Sequence, residues 1–571
     1  MQIPPVLQPF PRAIPLVLFM AFLASCGGGA EPAGSQDGSS EQVVLTSVTP
    51  PAGQVQGGLR VTLGGSGFLA GGNMQVFFAD VPAGDVMILD DETVTCVVPA
   101  YPLDGPVTVR AQNAAGASSL IGGFSYHRLP IMDFNDDGVA DLAVGATGNG
   151  AFDGGAAYLF FGDGVAVRDA NAGEAGLKLF GIGSMSGFGH RLAAGDVTGD
   201  GITDLVVSAP MHGAGGAVFI FFGPLVGTGS LSASSADVVL LANGIQSGDF
   251  FGESLTVGDL NGDAIDDIVV GAVHHDLPFA DCGAVFVFFG TPSLPSGDAS
   301  SADLKLTGPA GLNRFGRNLA MGDVSGDGQT DLLIGSPHAG GVHGAVDVLF
   351  GGPGLLSGAA VVSDMTIRGE APSDLFGSAI GAADVNGDAV PDILVGASGN
   401  DALGSSSGAA YVFFGGPARP SSATQADAIM LGSNAGDEFG RGLAGGDIDG
   451  DGIADLIVGA QGVDAGATNN GRVYAFLGRP GLGDSVAGSA AMMLTGLAIT
   501  NENFGQTIEL IDVDCDGELD ICVGSFRVGA GDVHVFLGDG VMADLLASQD
   551  SATFTGQVGG DTFGIGLAAP R

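Results

Sequence analysis

The feature that most constrains this chain is a nine-residue stretch that returns seven times at an almost constant interval. Its fullest copy is Asp447-Ile-Asp449-Gly-Asp451-Gly-Ile-Ala-Asp455. Copies begin at Asp133, Asp196, Asp259, Asp323, Asp384, Asp447 and Asp512, separated by 63, 63, 64, 61, 63 and 65 residues. Side-chain oxygens fall at positions one, three, five and nine. Ca²⁺ takes roughly six to eight oxygen ligands, and alternate residues of a tight turn point such oxygens inward. Position six is glycine in five copies, where a loop that doubles back needs a positive φ. Ala264 and Ala389 stand there in the third and fifth copies. Alanine carries a steric cost in that conformation, so those two loops are expected to bind more weakly or to differ in shape.

The candidate ligands follow from the register. They are Asp133, Asn135, Asp137 and Asp141 in the first loop, and Asp196, Thr198, Asp200 and Asp204 in the second. The third has Asp259, Asn261, Asp263 and Asp267, and the fourth Asp323, Ser325, Asp327 and Asp331. Asp384, Asn386, Asp388 and Asp392 form the fifth set, and Asp447, Asp449, Asp451 and Asp455 the sixth. Asp512, Asp514, Asp516 and Asp520 form the last. Twenty-three of the 63 acidic residues thus sit at ligand positions. An Asp-rich turn also forms without metal, because Asp and Asn hydrogen-bond their own backbone. Seven phased copies favour up to seven structural Ca²⁺ ions.

Each unit reads as four short strands. One leads into the loop, as in Leu192-Ala193-Ala194-Gly195, and one leaves it, as in Asp204 to Ala209. A near-continuous apolar run follows, as in Ala217-Val218-Phe219-Ile220-Phe221-Phe222, and a fourth strand such as Leu304-Lys305-Leu306-Thr307 closes the unit. Runs this short and this apolar are buried on both faces. Four strands repeated seven times predict an all-β, seven-bladed β-propeller over residues 127–571.

Phe-Gly recurs ahead of the loops at Phe188-Gly189, Phe251-Gly252, Phe315-Gly316, Phe376-Gly377, Phe439-Gly440, Phe504-Gly505 and Phe563-Gly564. Gly-Ala or a variant follows them, as at Gly145-Ala146, Gly271-Ala272, Gly335-Ser336-Pro337, Gly396-Ala397 and Gly459-Ala460. These units resemble FG-GAP repeats, which build the propeller of integrin α subunits. The resemblance implies Ca²⁺ held by the loop carboxylates at one rim and partners engaged at the other. The first unit departs from it, with Ser125-Tyr126 where Phe-Gly is expected. His127 to Asp133 still aligns with His190 to Asp196, so the first blade is expected to have its own inner strand. The chain ends on Phe563 to Ala569, an eighth copy of that strand, and either segment could fill the position at the seam.

The segment 43–126 alternates short apolar runs with Gly, Pro and Asn, which reads as a small β-sandwich. Val48-Thr49-Pro50-Pro51-Ala52-Gly53 and Gly57-Gly58 through Gly67-Phe68 resemble the opening of an IPT/TIG immunoglobulin-like domain. Pro106 to Arg110 and the Asn113 to Gly116 turn resemble its close. Ahead of it, Ile14 to Ala24 is an apolar run too short to span a bilayer. It ends in Leu23-Ala24-Ser25-Cys26, which resembles the lipobox of bacterial lipoproteins. That implies a signal peptide at 1–25, lipidation at Cys26 and a flexible tether at 26–42; an ordinary cleaved signal with an incidental cysteine is the other reading.

A net charge of −46, with 17 Lys and Arg, argues against nucleic acid as a partner. Five of the 8 His residues, His212, His274, His275, His338 and His343, fall in turns predicted at the rim away from the cation loops. They are candidates for a transition-metal or polar-ligand face, against the simpler reading of scattered loop histidines. Cys515 and Cys522 could form a disulfide or stand as independent thiols, and Cys96 reads as a buried thiol. The expectation is a monomeric, non-enzymatic adhesion or ligand-binding scaffold in the bacterial cell envelope, lipid-anchored or secreted. Its partner would be an extracellular or envelope protein or glycan. The alternative is an extracytoplasmic hydrolase or lyase with its site in the propeller mouth.

Overall fold

Alternating and continuous apolar runs both become strand in the computed structural model, which is all-β with a few single-turn 3₁₀ segments. It describes residues 42–568 except 50–51, 55–59, 71, 100–104, 128–131, 149–153, 163–167, 244–245, 247, 339–342, 359–361, 526–529, 539–543 and 558–561. The proposed signal, Cys26 and the tether lie outside the described residues. None of the described helices is long and apolar enough to cross a membrane.

The N-terminal segment forms two sheets. One pairs Val44–Thr49, Arg60–Ser66, Thr93–Val97 and Gly84–Ile88; the other pairs Ala52–Gln54, Gly116–His127, Gly105–Asn113, Gln75–Phe78 and Val81–Pro82. Val61, Leu63, Phe68, Phe78, Cys96, Val109 and Phe124 fill one buried cluster. Its last strand runs through to His127.

Seven more sheets follow, each antiparallel and four-stranded at its centre. The second is typical: Leu192–Gly195, Asp204–Ala209, Ala217–Phe221 and Val238–Leu241 pair in chain order. Its second and third strands are buried at every residue, as their unbroken apolarity requires. The first strands of successive sheets touch in sequence, and the last, Phe563–Leu567, touches both the first strand of the seventh sheet and Leu192–Gly195. All seven line a common cavity of about 280 Å³. This arrangement is consistent with a β-propeller.

Both motifs of the repeat act where neighbouring sheets meet. Each Phe-Gly phenylalanine is buried, and all but Phe315 lie edge-on to an aromatic ring of the third strand of their sheet, as Phe439 does to Phe476. The glycine after it has a positive φ, 86° at Gly189. A Cβ on Gly189 would lie 2.1 Å from the Ala156 carbonyl oxygen, so no other residue fits. The glycine of Gly-Ala meets that same turn: a Cβ on Gly145 would lie 2.0 Å from the Gly189 carbonyl oxygen, and one on Gly459 1.9 Å from that of Gly505. The two halves of the motif are therefore complementary surfaces of adjacent sheets.

The seam corrects one expectation. His127 belongs to the N-terminal domain's last strand, and the inner position of the first sheet is taken by Phe563–Leu567, paired with Leu142–Ala146. The reason is the phenylalanine that the first unit lacks. Phe563 is fully buried against Tyr158 and Phe160 and supplies it. A second link was not legible in the sequence: five sheets take a short parallel strand on their outer edge from the following unit. Ser485–Val486 adds to the fifth, Leu545–Leu546 to the sixth and Ala170–Asn171 to the seventh. The seventh sheet is thus latched by a strand of the first unit, and pairing covers edges that would otherwise be open.

Candidate metal loops and the axial cavity

Six of the seven Asp loops leave the ends of inner strands, the first leads directly into Leu142–Ala146, and all share one internal hydrogen-bond plan. In the sixth, Asp447 Oδ1 accepts the Gly450 and Asp451 amides at 2.8 and 3.2 Å, and Oδ2 the Gly452 amide at 2.8 Å. Asp451 accepts the Ile453 amide at 2.9 Å. The position-one and position-five bonds recur in the other six loops, as at Asp196, Asp259 and Asp384. Position six has the predicted positive φ, including 68° at Ala264 and 70° at Ala389. Position four has it too, from 61° at Asp136 and Cys515 to 80° at Gly262. That second reversal was missed, although glycine at position four in five loops signalled it.

Position nine behaves differently from the rest. Asp455 is buried; its Oδ2 accepts the Ile448 amide at 3.0 Å and its Oδ1 the Gly478 amide at 2.9 Å. Gly478 follows the third strand, so this carboxylate ties the loop to the far side of its own sheet. Asp141, Asp204, Asp267, Asp331, Asp392 and Asp520 repeat the bond to that glycine. Burial pushes these carboxyls up, to about 7 at Asp204, Asp267, Asp455 and Asp520 and about 6 at Asp331, against the pull of the amide donors.

The donor set fits Ca²⁺. In the sixth loop Asp447, Asp449 and Asp451, and in the seventh Asp512, Asp514 and Asp520, each offer a carboxylate oxygen within 4.8 Å of the others. Ligands about 2.3–2.6 Å from one ion lie at most about 5 Å apart, so groups this close can share an ion. Burial, then the neighbouring carboxylates, raises Asp447, Asp451 and Asp514, and takes Asp512 to about 6. These two loops are those with Asp at position three. Elsewhere the side chain there serves the loop itself, as when Thr198 and Ser325 hydroxyls donate to Asp196 and Asp323 at 3.3 Å.

Four of the five rim histidines are engaged locally, while the buried Nδ1 of His338 has no partner. His212 bonds the Ile182 carbonyl and stacks edge-on to Phe219; His274 pairs with Asp281 at 2.9 Å; His343 bonds the Glu370 carbonyl. His275 is buried between Asp249 at 2.6 Å and Lys305 Nζ at 3.1 Å. Burial and nearby Arg314 and Arg317 lower His338. Among the described residues no three His, Cys, Asp or Glu side chains converge there. Cys96, Cys282, Cys515 and Cys522 form no disulfide with one another; Cys522 is buried in its strand, while Cys515 accepts the Ala140 amide at 3.1 Å.

The cavity on the common axis was not singled out from sequence. Arg191, Arg317 and Arg441 line it, with His190, at the ends of the inner strands away from the loops, and Glu253 pairs with Arg317 beside it. The available signal was the residue after each Phe-Gly, which is polar in six of the seven copies.

Comparison with known proteins agrees with both repeat and domain. The FG-GAP repeat family matches residues 188–221, 251–288, 315–349, 376–413 and 439–476, and the IPT/TIG domain family matches 44–126. Integrin alpha-PS5 of Drosophila melanogaster is 38% identical over 166 residues, covering 27% of this chain and 15% of its own length. Integrin alpha-5 of Xenopus laevis is 32% identical over 225 residues, 38% of this chain and 20% of its own. A human phosphatidylinositol-glycan-specific phospholipase D is 32% identical over 204 residues, 33% of this chain and 24% of its own. The matched region spans at most about a quarter of these relatives. The chain therefore carries FG-GAP repeats and an IPT/TIG domain and is homologous to integrin α subunits over its repeats.

Proposed function

We propose that this protein is a calcium-stabilised, seven-bladed β-propeller on an IPT/TIG domain, acting outside the cytoplasm as a non-enzymatic adhesion or ligand-binding scaffold. The observation that carries the reading is the set of seven phased Asp loops on one internal bonding plan, two of them with three converging carboxylates. Homology to integrin α subunits supports the scaffold role, and the absence of a long apolar helix among the described residues is compatible with a lipid anchor at Cys26 or with secretion. The ions hold the fold; the opposite rim receives the partner, an extracellular or envelope protein or glycan.

The test is capture on a glycan array and from envelope extracts by the mature protein, with Ca²⁺ and with EDTA. Retention of one ligand class with Ca²⁺ and its loss with EDTA is expected. Equal capture under both conditions would separate ligand binding from calcium. A second reading, an extracytoplasmic hydrolase, rests on the phospholipase D relative, whose named activity belongs to that protein. Release of product from polymeric or phospholipid substrates by the purified chain would favour it.

A further inference from the structure

One side chain per inner strand directly follows Phe-Gly, and these side chains form a row around the mouth of the axial cavity. His190, Arg317, Ser378, Arg441 and Gln506 line the cavity, with Ile565 from the C-terminal strand; Glu253, in the same register, is held beside it by Arg317 and His190. A register shift falls at this point, between Phe251 and Ser254, Phe376 and Ala379, and Phe439 and Gly442. Such a bulge re-aims the side chain it carries. Because the inner strands of sheets two to seven each run from Phe-Gly to an Asp loop, the row lies at the end of the cavity away from the metal loops.

The charge of this mouth is opposite to that of the molecule. The chain holds 17 Lys and Arg against 63 Asp and Glu, yet three arginines, Arg191, Arg317 and Arg441, line a cavity of about 280 Å³ with only Glu253 and Glu509 opposing them. Glu253 is already engaged, by an ion pair to Arg317 and by His190 at 3.5 Å. Arg191 reaches the His190 and Ile565 carbonyls at 3.4 and 3.2 Å. Arg441 has no ion pair among the described residues, and the nearby Glu438 accepts the Gln461 amide at 2.6 Å. Burial and the mutual repulsion of the three guanidinium groups depress Arg191 and Arg441. Burial, then Arg191, holds His190 down at about 4, so the imidazole is neutral and adds no positive charge. Thr256, 2% exposed, lines the same cavity with a hydroxyl that has no partner.

Buried cations are kept when they are paired, and an unpaired buried hydroxyl carries a smaller cost of the same kind. We infer that the mouth of the axial cavity binds one compact oxyanion, a carboxylate, sulfate or phosphate group, held by Arg441 and Arg191 with Arg317 beside them and the Thr256 hydroxyl donating from below. Guanidinium groups suit this task because their planar N–H pairs match two oxygens of one anion. The site is independent of the Ca²⁺ loops, which lie at the other end of the inner strands.

The test is calorimetric titration of the calcium-loaded whole chain, freed of excess calcium, with sodium galacturonate, sulfate and phosphate as separate arms and glucose as the neutral control. Saturable 1:1 binding of at least one anion is expected, and the arm that binds tightest identifies the group. Arg441→Gln should weaken that binding by about tenfold or more, as loss of a charge-assisted hydrogen bond does. Glu253→Gln should tighten it, because it releases Arg317, and a merely misfolded variant would not do so. Arg368→Gln, exposed on an outer strand, should leave it unchanged. Absence of saturable binding in all three anion arms would overturn the inference, as would equal weakening by Arg441→Gln and Arg368→Gln. Unchanged affinity in Glu253→Gln would also count against it. The EDTA experiments bear on the metal loops alone, so the two readings fail separately.

Discussion

At the residue scale the loops divide into two kinds of aspartate that look alike in sequence. Asp451 is exposed, converges with Asp447 and Asp449 and accepts one amide, whereas Asp455 is buried and accepts two from separate segments. Asp455→Ala is expected to destabilise the chain by roughly 2–5 kcal/mol with or without calcium, because it strands two buried N–H groups. Asp451→Asn should instead leave the metal-free melt close to wild type and remove only the sixth loop's share of the calcium-dependent rise. Paired melts in Ca²⁺ and EDTA distinguish them. Ala264 and Ala389 keep the turn at φ values of 68° and 70° that alanine disfavours. Replacing either with glycine should stabilise the protein by about 1 kcal/mol, measured in denaturant titrations. These two loops thus have the shape of the other five, and strain is what sets them apart.

At the scale of elements, the C-terminal strand decides the integrity of the first sheet. Phe563 lies against Tyr158, Phe160 and the adjoining core. Phe563→Ala is expected to cost about 3–5 kcal/mol, as other buried aromatic truncations do. Deleting residues 562–571 should leave Leu142–Ala146 without its inner partner and make the first sheet the earliest site of proteolysis. Cleavage elsewhere first would contradict that assignment. Strand content and order within each unit were legible from apolar runs, and the Phe-Gly and Gly-Ala motifs marked the repeats. Their physical meaning was not. That Gly145 and Gly189 touch each other across neighbouring sheets is a contact over 44 positions, which no local pattern encodes. The parallel edge strands escaped notice for a similar reason. Leu545–Leu546 or Ala170–Asn171 is two residues long and acquires its role only from the edge it meets.

At the scale of the molecule, stability should depend on calcium and on pH in opposite ways. The native carboxyls of Asp204, Asp267, Asp455 and Asp520 titrate near 7, and that of Asp512 near 6, above the ordinary 3.8. Between those values the metal-free native state holds protons that the unfolded state has released. Their contribution is complete below about pH 4 and is lost as pH rises through about 7. The EDTA-treated protein should therefore melt at a higher temperature at pH 5 than at pH 7.5. Calcium competes with those protons, so the loaded protein should show a weaker or inverted dependence and should release protons on binding. Scanning calorimetry at both pH values, with and without the metal, checks each sign. At pH 7.5 removal of calcium should lower the melting temperature sharply, since each site occupied at a hundredfold excess over its dissociation constant contributes about 2.7 kcal/mol.

Local chemistry was sufficient for the loops, the strands and the seven-fold period, because alternating oxygens, turn glycines and short apolar runs act over a few residues. It could not reveal that the buried aspartates span two strands, that the tail completes the first sheet, or that three of the scarce arginines meet at one mouth. Those facts depend on which distant segments are neighbours. The tertiary structure decided them, by burying Phe563 where the first unit has no phenylalanine and by turning the residue after each Phe-Gly toward a shared axis.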